Sequence, residues 1–118
     1  MPPVPPTIPA QILVTTTFAV EGRRVVAYKG LVRGLIVRSP TIEQGILGGL
    51  KNIIGGQIGA YTEMCEQARQ TAYDRMVEQA AALGANAVLG VSYDASEIKG
   101  VATEVLCFGT AVVLEPAS

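Results

Sequence analysis

The chain has 118 residues, 49% hydrophobic and 16% charged, with a net charge of −1. That length accommodates one domain, and the balance is too apolar for disorder and too neutral to invite DNA, RNA or an anionic membrane. Histidine is absent and the only cysteines are Cys65 and Cys107, which excludes Ser-His-Asp and Cys-His catalysis and histidine-ligated zinc.

Residues 1–10 read as a Pro-rich flexible tail, five of the first nine residues being proline, and residues 11–118 as a single domain. The start carries no basic stretch followed by an apolar core, and no apolar run approaches the ~18 residues of a membrane span. The expected location is the cytoplasm. Ile12 to Phe18 is largely β-branched and reads as a strand, and Glu21-Gly22 as a turn. Arg24 to Arg38 reads as a second, long strand. Alternation puts Val26, Tyr28, Gly30, Val32, Gly34 and Ile36 on one face, and Val25, Ala27, Lys29, Leu31, Arg33 and Leu35 on the other. Gly30 and Gly34 mark a bend or the close approach of another backbone. Lys29 and Arg33 imply that their face is only partly buried in a single subunit.

Ser39-Pro40-Thr41 starts a helix, with Gln44 in capping-box spacing and Ile42, Ile46, Leu50 and Ile53 as its apolar stripe. Gly45, Gly48 and Gly49 each weaken that helix by about 1 kcal/mol relative to alanine. The segment Gly55 to Gly59 interrupts it. From Ala60 to Leu83 the helical period is clear: Tyr61, Met64, Cys65, Ala68, Ala72, Met76, Ala80 and Leu83 form one stripe, and Gly84 sits where a helix-ending glycine belongs. The small residues of that stripe suit close packing on a sheet. Asn86 to Tyr93 is a third strand, Ile98-Lys99-Gly100 a loop, and Ala102 to Leu114 a fourth strand. The expected class is α+β, an antiparallel sheet packed by a long helix.

Charge is unevenly distributed. Residues 1–60 hold six basic and two acidic side chains, and residues 61–118 hold three basic and eight acidic ones. A head-to-tail ring, in which one patch meets a different patch on its neighbour, uses such asymmetry.

The stretch Gly55-Gly56-Gln57-Ile58-Gly59-Ala60-Tyr61, then Ala68-Arg69 and Leu83-Gly84-Ala85-Asn86-Ala87-Val88, resembles the YbjQ family of small bacterial proteins. Thr15-Thr16-Thr17 and Gly109-Thr110-Ala111-Val112-Val113 fit its pattern too. The resemblance implies a dodecin-like β-α-β-β core assembled as a homopentameric ring, with short strands joining neighbouring subunits. It implies no established activity, only a heavy-metal-binding label. Gln57-Ile58 departs from the family's usual Arg-Ser and removes a cation and a hydroxyl from the loop.

Three candidate sites follow. Backbone N–H groups of a glycine loop before a helix suit an anion, so Gly55, Gly56 and Gly59, with Tyr61 and Arg69 from the helix, form a candidate ligand-binding set. That loop follows a helix rather than a strand and lacks the Lys-Ser/Thr of a P-loop. Arg69 also has the spacing for an ion pair with Glu66. Thiolates select Cu or Zn, so Cys65 and Cys107 form a candidate metal pair, weighed against two thiols packed in apolar surroundings. Asp94, Glu97 and Glu104 are placed to converge at one end of the sheet as an acid–base set, but no substrate pocket or electrophile accompanies them. The function expected is that of a non-enzymatic homo-oligomer with itself as partner and no cofactor. The alternative is a soft-metal-binding protein using Cys65 and Cys107.

Overall fold

The computed structural model describes residues 12–38, 57–100 and 102–117, with side chains in the helix from Thr62 onward. The proline-rich tail, the helix expected from Thr41, and Gly55-Gly56 lie outside the described residues. Four strands and one helix follow in the order β1 (Leu13–Val14), β2 (Arg23–Arg38), α1 (Gln57–Ala82), β3 (Ala87–Ile98) and β4 (Ala102–Pro116). The strands form one sheet in the order β1-β3-β4-β2. Strand β4 runs antiparallel to both β2 and β3, so β2 and β3 are parallel to each other with β4 between them. Strand β1 pairs parallel with β3, which makes the sheet mixed rather than antiparallel.

Strand β1 is much shorter than the run Ile12 to Phe18. The reason lies in the threonine hydroxyls, which compete for backbone groups. Thr15 Oγ1 accepts from the Thr17 N–H at 3.1 Å, and Thr17 Oγ1 donates to the Ala19 carbonyl at 2.7 Å, turning the chain. Even so, the Thr17 and Thr15 carbonyls still accept from Gly90 and Val91, extending the cover of β3's outer edge.

Helix α1 begins at Gln57, so Gly59 is part of its first turns rather than a break before it. Its buried residues are Ala68, Ala72, Met76, Val77 and Ala80, while Cys65 and Leu83 of the expected stripe are exposed. The helix ends in a Schellman motif. Gly84 takes φ 82° and donates to the Ala81 carbonyl, and Ala85 donates to that of Ala80. Asn86 then uses its side-chain amide as a strand would, accepting from the Leu114 N–H at 2.8 Å and donating to the Leu114 carbonyl at 3.0 Å.

The core lies between α1 and one face of the sheet, where Val32, Ile36, Val88, Val91, Val105, Cys107 and Ala111 meet the alanine stripe. Gly34 is the point of closest approach. A Cβ there would overlap the Ala72 carbonyl oxygen and lie 2.6 Å from the Met76 backbone nitrogen. The expected alternation of β2 holds for Val32, Gly34 and Ile36 but fails at Val26 and Tyr28, which are exposed. Register shifts between Val25 and Ala27 and between Tyr28 and Gly30 re-aim these side chains, and Gly30 carries φ 105°.

The opposite face of the sheet is covered at only one end. There Ala87, Leu89, Val112 and Leu114 pack with Val20 and Val25. Towards the other end, Leu31, Leu35, Val37 and Ile98 are exposed, and β3 is exposed from Ser92 through Ile98. The end of the β3–β4 hairpin, flanked by β2 as far as the Arg38–Thr103 pair, forms an arm of the sheet.

Candidate functional site

Two regions bear on function: a sulfur and aromatic cluster at the α1–sheet interface, and the uncovered half of the sheet with its arm. The cluster is set by register. Tyr93 on β3 pairs with Cys107 on β4, and Cys107 pairs with Gly34 on β2, so all three face α1. Because Gly34 admits the helix so closely, the Met76 side chain meets β4 directly. The Cys107 thiol donates to the Met76 thioether at 3.7 Å, and both side chains are fully buried. The Tyr93 hydroxyl lies beside the Cys107 thiol. The Arg69 guanidinium lies 5.3 Å from the centre of the Tyr93 ring, so this residue forms a cation–π contact rather than the surface pair expected with Glu66.

Burial pushes the Cys107 thiol up, and the Tyr93 hydroxyl beside it partly opposes the rise. Burial also raises the Tyr93 hydroxyl, with Cys107 beside it adding to the effect and Arg69 offsetting some of it. Both groups thus keep their protons to higher pH in the folded chain than in the unfolded one. Their contribution to stability is complete below the unfolded thiol's pKa of about 8.5 and is lost as pH rises through the folded values. The urea midpoint should therefore hold between about pH 6 and 8 and fall above about pH 8.5. Cys107→Ala should flatten the first part of that fall. A midpoint that rises over the same range would contradict a buried, protonated thiol.

The two cysteines do not meet within one chain. Cys65 is exposed on α1, and eleven residues at 1.5 Å each place it about 16 Å along the axis from Met76, which touches Cys107. Met76 and Tyr93 were legible only as core and strand residues. Nothing in their spacing announces that they surround Cys107, because helix position and strand register together create that contact. Among the described residues, no group of three His, Cys, Asp or Glu side chains could hold a metal ion. The carboxylate trio does not converge either. Asp94 pairs across from Leu106 and Glu104 from Ser96 on the face away from α1, while Glu97 points to the α1 side. Of the glycine-loop set, Gly55, Gly56 and the Tyr61 side chain lie outside the described residues, Gly59 is helical, and Arg69 covers Tyr93.

The second region combines apolar surface with separated charge. Leu31, Arg33, Leu35 and Val37 of β2 pair with Thr110, Phe108, Leu106 and Glu104 of β4, all facing away from the helix. Strand β2 carries Arg23, Arg24, Lys29, Arg33 and Arg38, whereas β3, on the far side of β4, carries Asp94 and Glu97, and β4 between them carries Glu104 and Glu115. Opposite sides of the sheet therefore bear opposite charge. The outer edge of β2 is closed at its middle by the helix. Gln79 Oε1 accepts from the Arg33 N–H at 2.7 Å, and Arg75 Nη1 donates to the Leu35 carbonyl at 2.6 Å. The outer edge of β3 has no such cover beyond Val91 among the described residues.

A UPF0145 protein of Legionella pneumophila strain Lens is 53% identical over 103 residues, spanning 87% of this chain and 98% of its own. A UPF0145 protein of Francisella philomiragia is 52% identical over 105 residues, spanning 87% and 99%. Among solved structures, a protein of unknown function of the DUF74 family from Pediococcus pentosaceus shares the fold, with TM-score 0.58 and 18% identity over 88% of this chain and 98% of that one. None of these names carries a reaction. No helix among the described residues is long and apolar enough to cross a membrane. A family model described as "putative heavy-metal-binding" matches residues 12–115, and the chain belongs to that family, YbjQ.

Proposed function

We propose that the protein acts as a non-enzymatic homo-oligomer, assembled head to tail into a ring, with five subunits as the resemblance to the YbjQ family implies. The observation that carries this reading is the half-covered sheet. One end of its outer face is sealed by Val20 and Val25, while Leu31, Leu35, Val37 and Ile98 at the other end stay exposed. Exposed apolar side chains interspersed with Arg33, Asp94 and Glu104 on the same face suit an interface. Basic β2 on one side and acidic β3 on the other favour a heterologous contact, in which the β3 side of one copy meets the β2 side of the next. The direct role is then structural, or the holding of a small ligand at clefts between subunits. The cytoplasm, which keeps Cys65 and Cys107 reduced, is the compartment that this reading assumes.

Native mass spectrometry and sedimentation test the proposal. The expected species is five times the 12.3 kDa chain, and it should be the same at every concentration above the dissociation range. The double variant Leu31→Glu/Leu35→Glu should give monomers with an unchanged far-UV spectrum, since both side chains already face solvent in the subunit. A monomeric wild-type protein would defeat the assembly outright. An oligomer indifferent to both substitutions would move the interface elsewhere.

The alternative of Cu or Zn held by Cys65 and Cys107 is weakened by their separation on one chain. The group that does meet Cys107 is the Met76 thioether, in the core beneath the helix.

A further inference from the structure

We propose that Phe18 is the aromatic anchor of the contact between copies, packing on the Leu31, Arg33 and Leu35 surface of the next subunit. The proposal rests on the head-to-tail reading above and names the side chains that meet in it.

Three observations carry the assignment. First, Phe18 is held in place and yet uncovered. It is 86% exposed, the most of any large apolar side chain among the described residues. Its chain neighbours are fixed on both sides. The Thr17 carbonyl accepts from the Gly90 N–H at 2.8 Å, the Thr17 hydroxyl donates to the Ala19 carbonyl, and Val20 packs in the outer-face cluster. The ring itself lies against Gly90, which takes φ 62°, and a Cβ there would sit 2.7 Å from the ring's Cε1. Glycine supplies both that backbone angle and the room for the ring. A single exposed apolar side chain is ordinary on a protein surface. One seated this firmly has little freedom left to lose on docking, which lowers the cost of a contact.

Second, the ring stands on the acidic side of the sheet. Gly90 and Val91, which donate to the Thr17 and Thr15 carbonyls, end the cover of β3's outer edge among the described residues. Beyond them β3 runs on past Asp94 and Glu97. A basic surface is therefore drawn to the side that carries Phe18, and β2 of another copy is such a surface.

Third, β2 suits an aromatic ring. Leu31 and Leu35 flank Arg33 on the face away from α1, at the two-residue spacing of a strand, and both leucines are exposed. Two aliphatic side chains with a guanidinium between them offer a ring apolar contact and a cation over its face. An isologous contact, ring to ring, would instead set Asp94 and Glu97 of one copy against the same residues of the other.

Native mass spectrometry and sedimentation of the full-length protein test the contact with two variants and their mixture. Phe18→Ser should raise the dissociation constant of the assembly at least about thirtyfold, leaving monomers where the wild-type protein is assembled. Its far-UV spectrum should be unchanged. Leu31→Glu/Leu35→Glu should act in the same way from the opposite side. Mixed in equal amounts, the two should form a heterodimer and nothing larger. In that pair the intact Phe18 of the second variant meets the intact leucines of the first, and both free ends are blocked. The heterodimer also establishes that each variant is folded. Phe18→Ser protein that assembles like the wild type would overturn the anchor and leave the ring standing. Two monomeric variants that do not pair would overturn the match between the surfaces, since each keeps one intact side. A monomeric wild-type protein would overturn the ring and this contact together, and assign both surfaces to a different protein.

Discussion

Gly34→Ala should displace helix α1 from the sheet and cost about 3 kcal/mol or more. The new Cβ would coincide with the Ala72 carbonyl oxygen, and its next neighbours are the Met76 nitrogen at 2.6 Å and the Ala72 carbonyl carbon at 2.9 Å. All three are helix backbone, so no side chain can rotate away. The only relief is to lift the helix, and lifting it opens the contacts of Ala68, Ala72, Met76 and Ala80 at once. At about 4 °C per kcal/mol for a domain of this size, Tm should fall by some 12 °C. Thermal melts followed by circular dichroism measure this. A loss under about 1 kcal/mol would mean that the helix is not seated on the β2 backbone.

Met76→Ala should cost about 3 kcal/mol, and Met76→Leu less than about 1.5 kcal/mol. Among the described residues Met76 is the largest fully buried side chain, and around it the helix contributes mainly alanines, which have no side-chain length with which to fill a void. Truncation also removes the acceptor of the Cys107 thiol. Urea titrations at neutral pH read both effects, with an unchanged slope showing that the denatured state is the same. If the alanine variant were as stable as the leucine one, the interface would be able to collapse, and the sulfur pair would not be held in place by packing.

The two glycines of β2 show how far sequence reasoning reached. Their placement on one face called for either a bend or a close backbone approach, and the chain uses both. Gly30 supplies the positive φ at a register shift, and Gly34 the contact with α1. The alanine stripe of α1 and its glycine stop were equally readable, because helical periodicity and left-handed backbone geometry are local properties. The same local rules failed where local competition was strong. The threonine hydroxyls of residues 15–17 ended β1 early, and bulges reversed the exposure of Val26 and Tyr28.

The candidate site divides along the same line. That the protein is α+β, that a helix of small residues packs closely on β-prone strands, and that its two halves carry opposite charge follow from residue order alone, since each depends on spacing within one segment. Which strands are neighbours is a long-range matter. Only the order β1-β3-β4-β2 sets basic β2 and acidic β3 on opposite sides of β4 and leaves half of the outer face uncovered. Only the packing of α1 at Gly34 brings Met76 to Cys107, 31 residues apart in the chain, and leaves Cys65 exposed on the helix. Pairing register and helix placement are decided by how the apolar faces fit against one another, a property of the assembled tertiary structure that no single stretch of sequence carries.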